Sequence, residues 1–275
     1  RYRELPVEYD EHDRRVRVAH RSGGRLLEGG YPFENGLAEL PLAERLRCVA
    51  GYLSAPGPRG AEFAHLKEWI ARGLGAGIAR SFMTPYNEKI WSVPLEKISM
   101  GLVKAKIDPE PWWKVLRNAF VPGTVGRAYQ ARFLYSRRGA GAIVEALADK
   151  VGASVRLGWR VARLERAADA WTAVSESGER VTARSVVSTM PIPLLLDALG
   201  GADREAFAGR FHHNDTYIAA VGLKEGRRPP RFGACHWVFF AGAEAFYRVT
   251  VMSAFRPDAP GAVTHSAGRP AAVSF

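Results

Sequence analysis

The first half of the chain is dominated by apolar residues at helical spacing. Between residues 42 and 53 these are Leu42, Leu46, Val49 and Leu53, which recur every three or four positions and predict a helix. The same spacing predicts further helices over residues 61–74 and 78–83.

The segment FMTPYNEKIWSVP, residues 82–94, ends this helical region. Pro85 has no N–H donor and crowds the preceding turn, so a bend is predicted there. Polar groups beside flat aromatic faces are typical of a pocket for a ring-bearing polar ligand. The alternative is a helix end with two buried aromatic residues and a solvated lysine. The residues concerned are Tyr86, Asn87, Lys89 and Trp91.

Alternating apolar positions predict strands elsewhere in the chain. Residues 15–27 have the pattern of a hairpin. Residues 154–189 predict four or five short strands, the first at 155–157 and the last at 186–187, with a hairpin turn at Ser177-Gly178-Glu179. With a helix over residues 192–199, the pattern predicts an α/β fold whose sheet carries an inserted antiparallel meander. Further strands are predicted over residues 216–223, 236–240 and 246–252.

A glycine-containing turn, RRGAG at residues 137–141, separates a predicted strand at 133–135 from a predicted helix over 142–151. Such a turn exposes backbone N–H groups and the positive end of the helix dipole, which favours an anion. The alternative is a tight turn without a ligand.

Arg248 lies inside the predicted strand 246–252, between Tyr247 and Val249. Burial of a guanidinium is costly unless it meets an anion. That anion is either a bound ligand or a carboxylate of the protein.

Composition limits the function further. The 275 residues carry a formal net charge of +11, but the basic residues are scattered among acids, which argues against nucleic-acid binding. Cys48 and Cys235 are far apart in sequence and indicate a reduced, cytoplasmic setting. No apolar run is long enough for an integral membrane segment. We find no catalytic triad, paired carboxylates or metal-ligand spacing, so no metal is expected.

The pattern also predicts a division of the chain into segments. A strand and loop region is expected first, followed by a helical region, an α/β region that contains the meander, and a mixed-sheet region. The tail is expected to be disordered. The predicted boundaries are 1–40, 41–128, 129–200, 201–256 and 257–275.

Five motifs in order resemble UDP-galactopyranose mutase-like flavoproteins, which lie within the amine oxidase and protoporphyrinogen oxidase superfamily. This resemblance implies the cofactor FAD, a nucleotide-binding α/β domain, a helical insertion and a mixed β-sheet substrate domain. The motifs are YPFENGLAELP (31–41), FMTPYNEKIWSVP (82–94), FLYSRRGAGAIVEALA (133–148), SVVSTMP (185–191) and HWVFF with FYRVTVMSAFRP (236–257).

The resemblance also implies site residues. The uracil end of a nucleotide-sugar would lie against Tyr31, Glu34, Asn87 and Trp91. The diphosphate would be held near Lys106, Phe239, Arg248 and Phe255, and Gln130 would lie near the nucleotide. The residues expected to flank the FAD are Arg138, Gly139, Gly141, Val161, Thr189 and Pro191.

Several positions depart from the mutase pattern, which has Gln at position 34, Arg at 106 and Tyr at 239 and 255. Two phenylalanines therefore remove two hydroxyl donors to a diphosphate. The GxGxxG turn that opens the family's fold and its C-terminal glycine-rich segment do not occur, so we expect an internal fragment.

Three functions remain open from the sequence. The first is flavin-mediated chemistry on a nucleotide-sugar or similar polar substrate. The second is an FAD oxidoreductase of the amine oxidase or protoporphyrinogen oxidase type with a different substrate. The third is an inactive fragment or a nucleotide-sugar-binding module.

Overall fold

The computed structural model describes residues 4–22, 24–55, 62–101, 111–121, 132–211, 214–222, 235–255 and 272–274. The strands are β1 (Tyr9–Asp13), β2 (Val16–Ser22), β3 (Arg25–Gly30), β4 (Arg132–Ser136), β5 (Val161–Arg166), β6 (Trp171–Ser175), β7 (Arg180–Ala183), β8 (Ala220–Gly222), β9 (Trp237–Phe240), β10 (Arg248–Val251) and β11 (Ala272–Ser274). The helices are α1 (Leu42–Ser54), α2 (Leu66–Glu68), α3 (Gly75–Ile78), α4 (Thr84–Trp91), α5 (Trp112–Phe120), α6 (Gly141–Val151), α7 (Ile192–Leu199) and α8 (Gly201–Phe207).

The chain forms two compact units. The smaller unit comprises Arg1–Val7 and Ala140–Thr216, and the larger unit comprises Glu8–Gly139 and Tyr217–Phe275. The fold therefore combines helices and sheets, as the sequence predicts. The five segments with boundaries at residues 40, 128, 200 and 256 remain a prediction.

A six-stranded sheet in the order β3-β2-β9-β10-β11-β8 organises the larger unit. The predicted hairpin is confirmed as β2 and β3, which pair antiparallel. Strand β2 also pairs in parallel with β9, where Val18 faces Phe239, and β9 pairs antiparallel with β10, where Phe239 faces Arg248. Side chains alternate between the two faces of a strand, so Val18 and Phe239 join the main core while Val238 and Val249 pack on the opposite face.

The helices of the larger unit approach one another closely at glycines. A Cβ on Gly77 would lie 2.5 Å from the carbonyl oxygen of Arg47 in α1. A Cβ on Gly75 would lie 2.1 Å from the carbonyl oxygen of Gly51, and this residue has a φ of +80°. Only glycine fits such a close contact between α1 and α3.

The predicted bend at Pro85 is wrong. Pro85 lies in the first turn of α4, and helical backbone continues from the π-helical turn Ala79–Met83 through this helix. The residues before the proline, Met83 and Thr84, keep helical backbone angles (φ −64°, ψ −43° and φ −68°, ψ −59°), so the chain passes Pro85 without a break. The helix ends instead at Trp91, and Ser92 directly after it has a left-handed φ of 51°.

The smaller unit contains the predicted meander as the three-stranded antiparallel sheet β5-β6-β7, with α6 and α7 close to their predicted bounds. The strands predicted at residues 155–157 and 186–187 are wrong. Leu157 and Val187 are each 90 % exposed, because no described strand pairs with these segments and a strand needs a hydrogen-bonded neighbour.

Within the described residues, no helix combines the length and the apolar character that a membrane crossing requires.

Candidate functional site

A cavity of about 450 Å³ opens beside the central strands of the larger unit. Its volume falls in the range of small-molecule sites. Guanidinium groups and aromatic rings make up its lining, which consists of Arg14, Arg132, Phe133, Trp237, Phe239 and Arg248. Phe239 and Arg248 were predicted from the sequence, and the other lining residues were missed.

Arg248 reaches this cavity from β10, directly opposite Phe239 on β9. Its guanidinium lies 5.8 Å from the ring centroid of Tyr247, a cation–π distance. No described aspartate or glutamate forms an ion pair with Arg248. The cavity therefore holds a half-buried cation whose charge no described carboxylate neutralises.

Arg14 supplies a second guanidinium from the link between β1 and β2. It lies 5.2 Å from the ring centroid of Tyr31 and 5.9 Å from that of Trp237. Burial raises the pKa of the Tyr31 phenol, and the nearby Arg14 opposes that rise. Among the described acidic residues, none forms an ion pair with Arg14. In the sequence, Arg14 is marked only as a basic residue directly before the predicted hairpin, which does not indicate a place in a cavity.

Arg132 differs from the other two guanidiniums because it has a carboxylate partner. Its Nη1 lies 3.3 Å from Oε1 of Glu11 across the β1–β4 ladder. Both side chains are exposed, so the pair is weak. Arg14 and Arg248 are thus the stronger candidates for binding an anion.

A buried aromatic cluster lies behind the cavity wall. His236 is 1 % exposed, and its ring centroid lies 5.2 Å from that of Phe133 and 5.7 Å from that of Trp237. Its Nδ1 accepts a hydrogen bond of 3.2 Å from the backbone N–H of Arg15. Burial, with smaller effects from His12 and Arg15, lowers the pKa of His236 to about 4. His236 is therefore a neutral support of the wall at pH 7.

Phe255 belongs to this cluster and not to the described lining of the cavity. Its ring centroid lies 4.9 Å from that of His236 and 5.1 Å from that of Trp237. Phe255 is buried, so a phenylalanine suits this position, where a tyrosine hydroxyl would need a partner.

The polar groups of α4 bond mainly within the protein. Nδ2 of Asn87 donates to the carbonyl oxygen of Met83 at 2.7 Å, and Oδ1 of Asn87 accepts from Nε1 of Trp91 at 3.2 Å. Lys89 donates to the carbonyl oxygen of Glu244 at 2.7 Å, and burial lowers its pKa against the opposing effect of the Glu244 carboxylate. Helix α4 is thereby attached to the segment that leads into β10. Asn87 and Trp91 are not among the described residues that line the cavity.

Tyr31 and Glu34 follow directly after β3, and the Tyr31 ring packs against the core that contains Phe239. The Tyr31 ring packs edge-on against Phe239, with centroids 5.1 Å apart. Glu34 lies in the short 3₁₀ turn Phe33–Asn35, and its charge contributes to the raised pKa of Tyr31. Lys106 and Gln130 lie outside the described residues.

The residues predicted to flank the FAD fall in both units. Gly139, at the end of the larger unit, has a φ of +91°, and α6 of the smaller unit begins at Gly141. A Cβ at either glycine would meet no atom within 4 Å. Arg138 has its backbone N–H bonded to Oγ of Ser136 at 3.2 Å. In the smaller unit, Val161 begins β5, Thr189 is exposed and Pro191 precedes α7.

In the smaller unit, α6 begins at Gly141 without a side-chain cap at its N-terminus, and space is open around Gly141. Free backbone N–H groups at the start of a helix suit an anion. The N–H of Ile143 in this first turn donates to the carbonyl oxygen of Ala140 at 3.2 Å.

Comparison with known proteins agrees with the resemblance found in the motifs. The model of the family described as flavin containing amine oxidoreductase matches residues 50–212, more than half of the chain. A solved structure of reduced UDP-galactopyranose mutase matches with a TM-score of 0.80 and 26% identity, over 97% of this chain and 57% of that one.

Two more distant structures show the same fold. A putative protoporphyrinogen oxidase from Exiguobacterium sp. 255-15 has a TM-score of 0.60 at 13% identity, over 97% of this chain and 59% of that one. Cyclohexylamine oxidase from Brevibacterium oxydans IH-35A has a TM-score of 0.55 at 13% identity, over 99% of this chain and 59% of that one. The chain spans less than two thirds of the length of each of these structures. With its FAD-dependent fold and the extent of the family match, the chain belongs to the flavin-containing amine oxidoreductase family.

Proposed function

We propose that this chain forms the substrate-binding part of an FAD-dependent enzyme whose substrate is anionic and contains a ring, as nucleotide-sugars do. The observation that carries the proposal is Arg248, which enters an aromatic cavity without an ion pair to any described carboxylate. A phosphate or diphosphate supplies the missing negative charge, and the fork of the guanidinium suits its oxygens.

The other lining groups orient such a substrate. Arg14 offers a second cation against the same anion, while Phe239 and Trp237 offer flat apolar surfaces to its rings. Tyr31 and Glu34 lie near this wall and provide a phenol and an acceptor for the uracil end. Asn87 and Trp91 are occupied with each other, so we assign them to shaping the helix beside the pocket.

We propose that the smaller unit contributes to FAD binding the backbone N–H groups at the start of α6 together with Val161, Thr189 and Pro191. For Arg138 and Gly139 of the larger unit, the same role rests on the family resemblance alone. When bound, FAD supplies the electron-transfer or nucleophilic chemistry of the reaction. The residues of this chain contribute binding, charge neutralisation and exclusion of water.

A second candidate is an oxidoreductase that acts on a carboxylate-bearing ring compound. The phenylalanine at position 239, which lines the cavity without a hydroxyl donor, favours it, because a diphosphate uses such donors more fully than a carboxylate does. A cationic amine substrate is disfavoured by both candidates, since Arg14 and Arg248 would repel it.

Titration of the purified chain with UDP tests the proposal. The variant Arg248→Met is expected to weaken UDP binding by roughly 10- to 100-fold, the value of a charge-assisted hydrogen bond to phosphate. The control Arg184→Met removes an exposed arginine of the smaller unit and is expected to leave the dissociation constant unchanged. Tighter binding of putrescine than of UDP, or equal UDP affinity in both variants, would contradict an anionic substrate.

Anaerobic photometry of the FAD-loaded protein distinguishes the two reactions. A mutase would be supported if UDP-galactose caused no lasting bleaching of the oxidised flavin and was isomerised by the protein that carries reduced flavin. Bleaching by a carboxylate-bearing ring compound, with recovery in oxygen, would support an oxidoreductase.

A further inference from the structure

Helix α5 presents large aromatic side chains to solvent. Trp112, Trp113 and Phe120 are 63 %, 53 % and 54 % exposed, whereas Val115 and Ala119 of the same helix are buried. Solvation of such large apolar surfaces is costly, and their clustering on one short helix marks an interaction surface.

Helix α1, which contacts α5, also exposes apolar residues. Leu42, Leu46 and Leu53 are all exposed, although they follow the helical spacing that usually marks a buried face. The buried side of α1 instead carries Cys48, Val49 and Tyr52. Two neighbouring helices therefore leave an unusual amount of apolar side chain in contact with water.

The exposed charged side chains of these helices, Arg47 and Arg117, are both basic. Helix α5 contains Lys114 and Arg117 and no acidic residue, and Arg117 is exposed. The one acid of α1, Glu44, is buried and lies 3.1 Å from Nη2 of the exposed Arg47. The outward side of both helices thus combines apolar side chains with guanidinium groups.

We propose that α5, supported by α1, docks the protein onto an anionic lipid surface. Indole rings partition to the interface between headgroups and acyl chains, and basic side chains near them pair with anionic headgroups. The helix lies along the surface and does not cross it. The formal net charge of +11 adds a long-range attraction to the same surface.

A second copy of the chain fits this side less well. A two-fold contact places the same patch against itself, so the basic residues of α5 would face their own copies with no acid of that helix to neutralise them. Like charges across an interface oppose association. An anionic lipid surface has the complementary sign.

Co-sedimentation with lipid vesicles tests the proposal and does not depend on substrate or flavin. The chain is mixed with vesicles of pure phosphatidylcholine, or with vesicles that also contain about 30 % phosphatidylserine. We expect several-fold more protein to sediment with the anionic vesicles, with a decrease as salt is raised, and a blue shift of tryptophan fluorescence on binding.

Two variants locate the contact. Trp112→Ser with Trp113→Ser is expected to abolish the fluorescence shift and to reduce vesicle binding roughly tenfold. Arg117→Glu is expected to reduce binding to anionic vesicles by a similar factor, because it reverses a charge at the surface. Circular dichroism of each variant verifies that it has folded.

Matched controls replace exposed apolar side chains by serine, or reverse an exposed charge, in the smaller unit. Val144→Ser with Leu147→Ser removes exposed apolar side chains of α6, and Arg184→Glu reverses an exposed charge. Both are expected to bind vesicles like the parent chain. Equal losses in variants and controls, equal binding to neutral vesicles, or no vesicle binding would overturn the proposal. The proposal would also be overturned if the chain bound no vesicles, light scattering showed it to be a dimer, and the Trp112→Ser with Trp113→Ser variant were a monomer.

Discussion

At the residue scale, His236 shows how a polar group supports the cavity without touching a ligand. Its Nδ1 is satisfied by the backbone of Arg15, while its Nε2 is buried with no described partner. The Nε2 of His12, whose ring lies 5.5 Å away, is in the same state. Because Nδ1 of His236 accepts a hydrogen bond, the neutral ring carries its proton on Nε2, and a second proton on this ring would be poorly solvated.

This environment makes the fold sensitive to acid. The pKa of His236 falls from the ordinary 6.5 to about 4 in the folded chain, so the unfolded chain takes up a proton first as the pH decreases. The contribution of His236 to stability is complete above about pH 6.5 and is lost between about pH 6.5 and 4, at about 1 kcal/mol per pH unit. We expect His236→Leu to reduce the difference in the free energy of unfolding between pH 7 and pH 5, as measured by denaturant titration.

The control for this measurement is Phe255→Leu, a change in the same cluster that removes no titratable group. It is expected to lower stability equally at both pH values. A wild-type chain whose unfolding free energy is flat across this pH range would contradict the assignment.

At the scale of helices and strands, the sequence predicted those elements that are specified by nearby residues. The β2–β3 hairpin and helices α1, α6 and α7 were anticipated because periodicity and turn residues specify them. The continuity of α4 was not, because the π-helical turn that precedes Pro85 depends on how the chain packs and not on the proline itself. The exposed leucines of α1 show the same limit, since spacing identifies a helix but not which side is buried.

The contact between α1 and α3 yields a stability prediction. In Gly77→Ala, the new Cβ would lie 2.5 Å from a backbone oxygen of α1, so the helices must separate. We expect a loss of about 2 kcal/mol or more in the free energy of unfolding, measured by urea titration. Gly141→Ala is the comparison, because its Cβ meets nothing within 4 Å and alanine favours a helix. Equal stabilities of the two variants would refute the packing argument.

At the scale of the whole molecule, the cavity was only partly predictable. Arg248 stood out as a cation inside an apolar strand, and the family pattern pointed to Phe239. Arg14 and Arg132 gave no such signal, because their approach to Arg248 depends on strand pairings between distant parts of the chain. The pattern of residues along a single sequence does not indicate which distant strands will pair.

The cofactor proposal concerns the whole molecule. The chain spans a little over half of the length of the flavoprotein structures it resembles, so its own share of FAD binding has to be measured. Gly141→Asp would fill the open space at the start of α6 and set a carboxylate where a phosphate is expected. We expect FAD to bind roughly tenfold more weakly, measured by flavin fluorescence quenching, with Gly141→Ala retaining more affinity. If aspartate and alanine bind FAD equally well, the phosphate lies elsewhere.

The parallel pairing of β2 with β9 has a consequence for biosynthesis. On the ribosome, β2 emerges long before its partner, and more than two hundred residues separate Val18 from Phe239 in the register. The first hairpin must therefore wait, with one edge open, until the late strands are translated. A nascent chain arrested before residue 235 would contain Arg14 and Arg132 but could not assemble the cavity, because Trp237, Phe239 and Arg248 would be missing from its lining.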